Sequence, residues 1–212
     1  MDVTILIPAH DDDNYLDLLL KSIKQFTDYP YEVLILADTP SKKTTEFLNT
    51  QEYNFDIVYN GDLYLTWNTG LKKIQTDFVC FLTSDCVVSP GWLTSLMKYA
   101  MNDNFVTCWT IDEGNGFWGD RRLHYDCGDI DSFDMQKFVD KVKEIKKLYN
   151  GKVDCQGWFV PWLVNTHFFT AFGGWQDHER HPASMDEFTY QDILTKKIPF
   201  IRALDAGVYH FS

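Results

Sequence analysis

The sequence contains no C-x-x-C pair, and its cysteines are few and dispersed. There are five, at positions 80, 86, 108, 127 and 155. A disulfide framework is marked by an even set of cysteines in a short secreted chain, and a structural zinc site by closely spaced ligand pairs. The pattern indicates neither, and it favours reduced thiols in a cytoplasmic protein.

The chain also lacks an excess of basic residues and any long hydrophobic run. Lys and Arg total 19 against 31 Asp and Glu, which gives a net charge of -12. Non-specific affinity for nucleic acids depends on basic side chains that neutralise phosphates. No apolar run reaches the roughly 18 residues of a membrane span, and no charged-then-apolar leader opens the sequence. We therefore expect a soluble cytoplasmic protein with no membrane segment.

The first half of the sequence contains alternating apolar strands and amphipathic helices. The apolar runs lie at residues 3–7, 33–37, 57–59 and 78–82, and the helical patterns at 16–26, 40–49 and 64–75. Strands that are apolar on both faces are typical of a parallel sheet covered by helices on each side. With 212 residues, the chain is expected to form one α/β domain with a mostly parallel sheet.

Residues 78–93 combine a buried strand with a polar turn that carries Asp85. A helix is predicted to begin next, with Ser89 as its cap and Pro90 at its first position. In open α/β sheets, ligands bind at the carboxyl ends of the strands. The pattern therefore predicts a binding site around Asp85.

Other polar residues follow predicted strands. They are found at residues 8–11, at Asp38 and, near the end of the sequence, at His210. The carboxyl ends of parallel strands meet at one edge of a sheet, so the first two groups should lie beside Asp85. Taken singly, such an Asp is often a helix cap and a lone His a structural residue. Their joint placement favours a site.

The second half of the sequence is less regular. Its predicted elements are a strand at 105–111, a loop at 112–131, a Lys-rich amphipathic helix at 133–149, an aromatic run at 157–164, a turn at 173–175, a helix at 186–196 and a final strand ending at 212.

Several motifs occur in an order that is typical of one family. Residues 3–11 carry a strand and a Pro-containing polar turn, 34–41 a strand with a D-x-x-S ending, 67–71 an N-x-G helix, and 83–93 an acidic motif followed by Pro-Gly-Trp-Leu. The chain resembles the GT-A fold glycosyltransferases, most closely the large family 2 of inverting nucleotide-sugar enzymes. The resemblance spans nearly the whole chain. It implies one GT-A (Rossmann-like) domain over residues 1–212, with a nucleotide-binding half at 1–104 and an acceptor-binding and catalytic half at 105–212.

The resemblance implies a site for a nucleotide-diphosphate sugar, with a UDP-sugar as the favoured donor. The residues expected to bind it are Pro8, Ala9, His10, Asp38, Asn68, Gly70, Ser84 and Asp85. Asp38 is expected to hydrogen-bond the base, and His10 to stack on the base or contact the ribose. Close packing of a helix on a strand is an equally good interpretation of Gly70.

The acceptor is expected to lie against residues 169–175, which resemble the segment where these enzymes place it. Gly174, Trp175 and also Trp158 are the candidate contacts, although buried ring packing is the simpler interpretation of any single tryptophan. A hydroxyl-bearing glycan, a protein, a small metabolite or a nucleic-acid base could be the acceptor. The net charge makes the last of these less favoured.

Residues 185–187 resemble the Glu-Asp pair of the family, in which the Asp is the catalytic base. Asp186 fits if Met185 replaces the Glu, and Glu187 fits if Asp186 does. Asp186 is favoured. The implied reaction is a direct displacement, in which the base accepts a proton from the acceptor hydroxyl and the sugar is transferred with inversion.

The acidic motif departs from the usual D-x-D, because Thr83-Ser84-Asp85 leaves one carboxylate where two are common. Either Asp85 binds a divalent cation together with His210 and the donor diphosphate, or metal binding is weak and the chain is a noncatalytic relative. A hard cation that keeps waters and phosphates needs only one or two protein carboxylates, which favours the first alternative. An imidazole ligand favours Mn²⁺ over Mg²⁺.

Overall fold

The first half of the chain folds as an alternating series of strands and helices. A computed structural model describes residues 1–112, 122–156, 160–175 and 185–211, without the side chains of residues 185 and 186. The elements of the first half are β1 Val3–Ala9, α1 Asp13–Phe26, β2 Tyr31–Asp38, α2 Lys42–Leu48, β3 Asn54–Val58, α3 Leu63–Leu71 and β4 Phe78–Phe81. Strands β3, β2, β1 and β4 are neighbours in that order and run parallel. The predicted α/β fold is confirmed.

Strand β1 is longer than predicted, because it continues through Pro8 and Ala9. Its pairing with β4 ends at Leu6, whereas its pairing with β2 continues to Ala9. Pro8, which has no N–H to donate, therefore lies where β1 has only one neighbouring strand, the position in which a sheet tolerates proline.

The apolar strands bury side chains on both faces of the sheet. Ile5 and Ile7 of β1 pack in one cluster with Leu16 of α1. Leu6, between them, packs in a second cluster with Trp67 of α3. Successive strand residues point to opposite faces, so a continuous apolar run is what a sheet between two helix layers requires.

The second half completes a mixed sheet. Its elements are β5 Cys86–Val88, α4 Trp92–Met97, β6 Phe105–Asp112, β7 Arg122–His124, α5 Met135–Tyr149, β8 Val153–Asp154, β9 Trp162–Asn165, α6 Thr166–Phe172, α7 Met185–Thr195 and β10 Phe200–His210. The sheet continues from β4 in the order β9, β6, β10, β5. Strand β9 is antiparallel to both β4 and β6, and thus joins the two halves in one sheet. The functional division near residue 104 stays a prediction.

The chain after Asp85 differs from the prediction. Residues 86–88 form β5, which pairs antiparallel with β10. The next helix begins at Trp92, and its N-cap is Gly91 in the left-handed region, with φ of 70°. The prediction that Ser89 caps this helix and Pro90 begins it is therefore wrong. Glycine adopts positive φ without steric cost, which allows the sharp turn from β5 into α4.

Helix α5 is the amphipathic, Lys-rich helix expected from the sequence. It buries Phe138, Val142 and Ile145, and the Asp134 carboxylate caps its first turn by accepting from the Lys137 N–H. Within the described ranges, no helix is both long enough and apolar enough to cross a membrane.

Candidate active site

A cavity of about 340 Å³ lies at the carboxyl ends of β1, β2 and β4. Six residues predicted to bind the nucleotide sugar line it: Pro8, Ala9, His10, Asp38, Ser84 and Asp85. Because the strands are parallel, side chains separated by up to 77 positions (8 to 85) converge at one edge of the sheet. The edge site expected from topology is therefore present as a cavity.

His10 is held in the cavity wall by the main chain of β2. Its Nδ1 lies 2.7 Å from the Asp38 carbonyl oxygen, and since that oxygen can only accept, Nδ1 carries a proton. This bond raises the pKa of His10, burial opposes the rise, and the charges of Asp11, Asp38 and Asp12 add to it. The shift favours a positively charged imidazole, which would attract an anionic ligand.

The Asp38 carboxylate is nearly buried and strongly hydrogen-bonded. One oxygen accepts from the Asn60 N–H at 2.9 Å and the Thr39 hydroxyl at 3.0 Å. The other accepts from the Thr66 hydroxyl at 2.8 Å. Burial acts to raise the pKa of Asp38, but these bonds and one from the Gly61 N–H hold it below its ordinary value.

These donors change the role expected for Asp38. A carboxylate offers about four acceptor positions, and donors within the chain already occupy them. Asp38 thus fixes the 60–61 segment, which borders the cavity at Gly61. The structure does not favour the expectation that the Asp38 carboxylate itself hydrogen-bonds the base.

Asp85 and His210 are brought together by the pairing of β5 with β10. In that pairing, His210 lies opposite Cys86, the residue that follows Asp85. His210 Nε2 is 3.4 Å from Asp85 Oδ2. Burial lowers the pKa of His210, and the negative charge of Asp85 only partly opposes this. A neutral imidazole keeps the lone pair that a metal ligand needs.

The pair fits a divalent cation. Among the described residues, Asp85 Oδ1 and His210 Nδ1 are buried without a hydrogen-bond partner. The described ranges contain no group of three His, Cys, Asp or Glu side chains placed to hold an ion. The described residues would thus supply two ligands, and phosphate oxygens and water the others, which is a usual arrangement for a cation that acts on phosphates.

Asp12 also lines the cavity and was missed by the sequence interpretation. The Ser84 hydroxyl and the His10 N–H, the latter at 3.0 Å, donate to its two oxygens. Burial raises the pKa of Asp12; these two hydrogen bonds oppose the rise, and the charge of Asp85 adds to it. Only its position in the acidic run after the first strand could have pointed to it.

Asn68 and Gly70 do not line the cavity. Asn68 instead forms a pair of hydrogen bonds with the backbone of Trp175, at 2.8 and 2.9 Å. A Cβ on Gly70 would lie 2.6 Å from Leu6 and 2.8 Å from Leu36. The alternative interpretation of Gly70, close packing of helix on strand, describes the structure.

Gly174 and Trp175 lie in a packed turn. Trp175 is 2% exposed, and its ring stacks on Trp67 at 4.8 Å and on Trp162 at 4.6 Å. Gly174 has φ of 70°, and a Cβ there would lie 2.4 Å from Asn68 Oδ1. The simpler interpretation of Trp175, buried ring packing, therefore accounts for its position, and the structure does not favour it as an acceptor platform.

The candidate bases lie at the start of α7. The backbone of Asp186 is in the first turn of this helix, and its side chain is outside the described residues. Glu187 follows and is exposed. Trp158 also lies outside the described residues. The roles of these three residues stay predictions.

A second cleft, of about 500 Å³, lies beside β6, β7 and β10. Arg122 lines it and forms an ion pair with Asp112 at 2.7 Å. Arg202 also lines it, donates to Asp154 at 2.9 Å, and places its guanidinium carbon 3.8 Å from the Trp109 ring centre. The cleft therefore presents hydrogen-bonding groups fixed by their own ion pairs.

Comparisons with known proteins agree with this fold. A match to the family described as glycosyl transferase family 2 covers residues 4–160. Over 111 residues the chain is 28% identical to chondroitin synthase of Pasteurella multocida (strain Pm70), an alignment that covers 49% of this chain and 12% of that protein.

Two solved structures show the same GT-A architecture. TarS 1-349 of S. aureus, in complex with UDP-GlcNAc, has a TM-score of 0.67 at 15% identity over 100% of this chain and 59% of its own. The mannosyltransferase PcManGT of Pyrobaculum calidifontis, in complex with GDP-Man and Mn²⁺, has a TM-score of 0.64 at 15% identity over 98% of this chain and 56% of its own. The chain thus spans less than two thirds of each of these proteins. From the match over residues 4–160, the chain belongs to glycosyl transferase family 2.

Proposed function

We propose that the protein is a metal-dependent, inverting glycosyltransferase that moves a sugar from a nucleoside-diphosphate donor to an acceptor hydroxyl. The observation that carries the proposal is the cavity at the strand ends, which is lined by His10 and Asp85 and has His210 beside Asp85. A UDP-sugar is the favoured donor, and the TarS complex with UDP-GlcNAc supports this choice.

Asp85 and His210 would hold the divalent cation. The bound ion would supply neutralising charge for the departing diphosphate. Mn²⁺ is favoured over Mg²⁺ because one protein ligand is an imidazole. The solved structure of the mannosyltransferase PcManGT in complex with GDP-Man and Mn²⁺ is consistent with this preference.

The nucleoside would occupy the end of the cavity formed by β1 and β2. His10 would contact the base or ribose, while Asp38 holds the segment that borders the cavity. On the acceptor side, Asp186 would accept the hydroxyl proton, with Glu187 as the alternative base. The second cleft is a candidate region for the acceptor, since its fixed polar groups can hydrogen-bond hydroxyls.

Calorimetric titration of UDP and UDP-sugars in Mn²⁺ and in EDTA tests the donor site. We expect Asp85→Ala to lose the Mn²⁺-dependent binding, because it removes the charged ligand of the ion. As a control, Asp17→Ala removes a partly exposed acid that pairs with Lys21, and this variant should bind nucleotide like the wild type. Absence of nucleotide binding to the wild type in Mn²⁺ contradicts the proposal.

Transfer assays test the base. Asp186→Ala should keep donor affinity and lower the rate of transfer about 10²- to 10⁴-fold, the usual contribution of a positioned base. If Asp186→Ala and Glu187→Ala both transfer sugar at the wild-type rate, the assignment is wrong.

A noncatalytic nucleotide-sugar or glycan-binding protein is the second candidate, favoured by Thr83 in place of the usual acid. The titrations and the assays distinguish the two. Tight donor binding without turnover on any acceptor, and without slow donor hydrolysis, supports the noncatalytic alternative.

A further inference from the structure

The acidic motif of this chain has one carboxylate, Asp85, and the other candidate ligand, His210, is an imidazole, which binds metals as a neutral group. A divalent cation bound there would be balanced by a single protein charge before the donor arrives. If the protein has the proposed function, a second negative charge near the ion must come from another side chain.

Asp12 occupies the N-cap position of α1 but does not cap it. Aspartate in this position usually accepts a hydrogen bond from the first turn of the helix. The Asp12 side chain makes no such bond. It lies against the cavity instead, where the hydroxyl of Ser84, the residue before Asp85, donates to it.

A purely local role does not explain this placement. The backbone N–H of His10 donates to one Asp12 oxygen, and the Ser84 hydroxyl donates to the other. The carboxylate therefore joins the end of β1 to the acidic motif, with Asp12 and Ser84 separated by 72 positions in the sequence numbering. Its neighbours Asp11 and Asp13 have separate functions. Asp11 accepts from Ser41 and Thr44 at the start of α2, and Asp13 pairs with Lys43 at 2.9 Å.

We propose that Asp12 is a positioning residue that supplies the second carboxylate charge of the cation site, acting through Ser84. Asp12 is not proposed as a direct ligand, because the described residues contain no group of three ligating side chains close enough to share an ion. Asp12 therefore takes the place of the acid that Thr83 lacks. Carboxylates that orient metal ligands typically change affinity by about 10- to 100-fold when removed.

Calorimetric titration of Mn²⁺ into the protein saturated with UDP tests the inference. Asp12→Asn should weaken Mn²⁺ binding at least about tenfold. The matched control, Asp13→Asn, removes the neighbouring acid, which pairs with Lys43. Its Mn²⁺ affinity should stay within about twofold of the wild-type affinity, as expected for a side chain that is independent of the cation site. Wild-type affinity in Asp12→Asn overturns the inference while leaving the donor-site proposal intact.

Ser84→Ala provides a second, independent variant, because it breaks the link and keeps the Asp12 carboxylate. It should weaken Mn²⁺ binding as well. The double variant, Asp12→Asn with Ser84→Ala, should lose less Mn²⁺-binding free energy than the sum of the two single losses, as expected for side chains that act as one unit. Full Mn²⁺ affinity in Ser84→Ala overturns the inference even if Asp12→Asn does not fold. If the wild type itself binds no Mn²⁺, the proposed metal dependence fails, and this inference fails with it.

Discussion

Asp38 illustrates, at the scale of one residue, how a polar side chain can shape a candidate site through hydrogen bonds within the chain. Its carboxylate accepts hydrogen bonds from Asn60, Thr39 and Thr66, and its pKa is held below the ordinary value. A folded-state pKa below the unfolded one stabilises the fold at neutral pH. That contribution is lost as the pH falls through the folded-state value.

Asp38→Asn should therefore lower the free energy of unfolding at pH 7 by about 1–3 kcal/mol, the usual value for hydrogen bonds to a charged group. The difference from the wild type should begin to narrow below about pH 4, where the carboxylate of the unfolded chain becomes protonated, and should be lost as the pH falls through the lower folded-state pKa. Urea unfolding at pH 7 and pH 3 measures both effects. A difference that is equal at the two pH values contradicts the assignment.

Asp62→Asn is the matched control for this measurement. The Asp62 carboxylate accepts from the N–H groups of Tyr64 and Leu65 at the start of α3. Asn caps helices about as well as Asp, so Asp62→Asn should lower the free energy of unfolding by less than about 0.5 kcal/mol.

The candidate site was predictable where it follows from topology. Asp38 and Asp85 end apolar strands, and a parallel sheet places such ends at one edge. Asp12 was not predictable, because its role depends on a contact with Ser84 that only the folded chain makes. Asn68 and Gly70 lie outside the lining of the described cavity, which the motif could not indicate because it gives their spacing on α3 but not the direction that each faces.

At the scale of elements, the turn after α6 is fastened to α3. Asn68 exchanges two hydrogen bonds with the backbone of Trp175, and Gly174 lies directly under the Asn68 amide. The turn also places Trp175 in the aromatic cluster between α3 and β9. This contact therefore couples α3 to the turn that follows α6.

Gly174→Ala should destabilise the protein by about 3 kcal/mol or more, since it combines left-handed strain of about 1–2 kcal/mol with a clash against Asn68. Gly151→Ala is the control, because Gly151 has φ of 71° and nothing within 4 Å of its Cβ position. Gly151→Ala should therefore lose only the stability that the left-handed strain costs. Equal losses in the two variants, measured by urea unfolding, contradict the role of the contact.

The long elements were predicted better than the short ones. Strands β1, β2 and β4 were recognisable from their apolar runs alone. Strand β5 has three residues and β8 has two, and both exist because they pair with β10. The start of α4 was misplaced because Ser89-Pro90 looks like a helix start, whereas the chain first completes β5 and turns at Gly91.

At the scale of the whole molecule, the distribution of charge favours a cation in the proposed reaction. The protein carries a net charge of -12, and acids line the cavity at Asp12, Asp38 and Asp85. A diphosphate entering this cavity meets charges of its own sign at close range. We therefore expect the ion and the nucleotide to bind together.

A crystal soaked with UDP and Mn²⁺, with anomalous scattering used to locate the ion, tests the central claim most directly. We predict one manganese peak coordinated by Asp85, His210 and the diphosphate, with the nucleoside in the cavity beside His10. A manganese peak that contacts neither Asp85 nor His210, or a nucleotide bound outside the cavity, contradicts the claim.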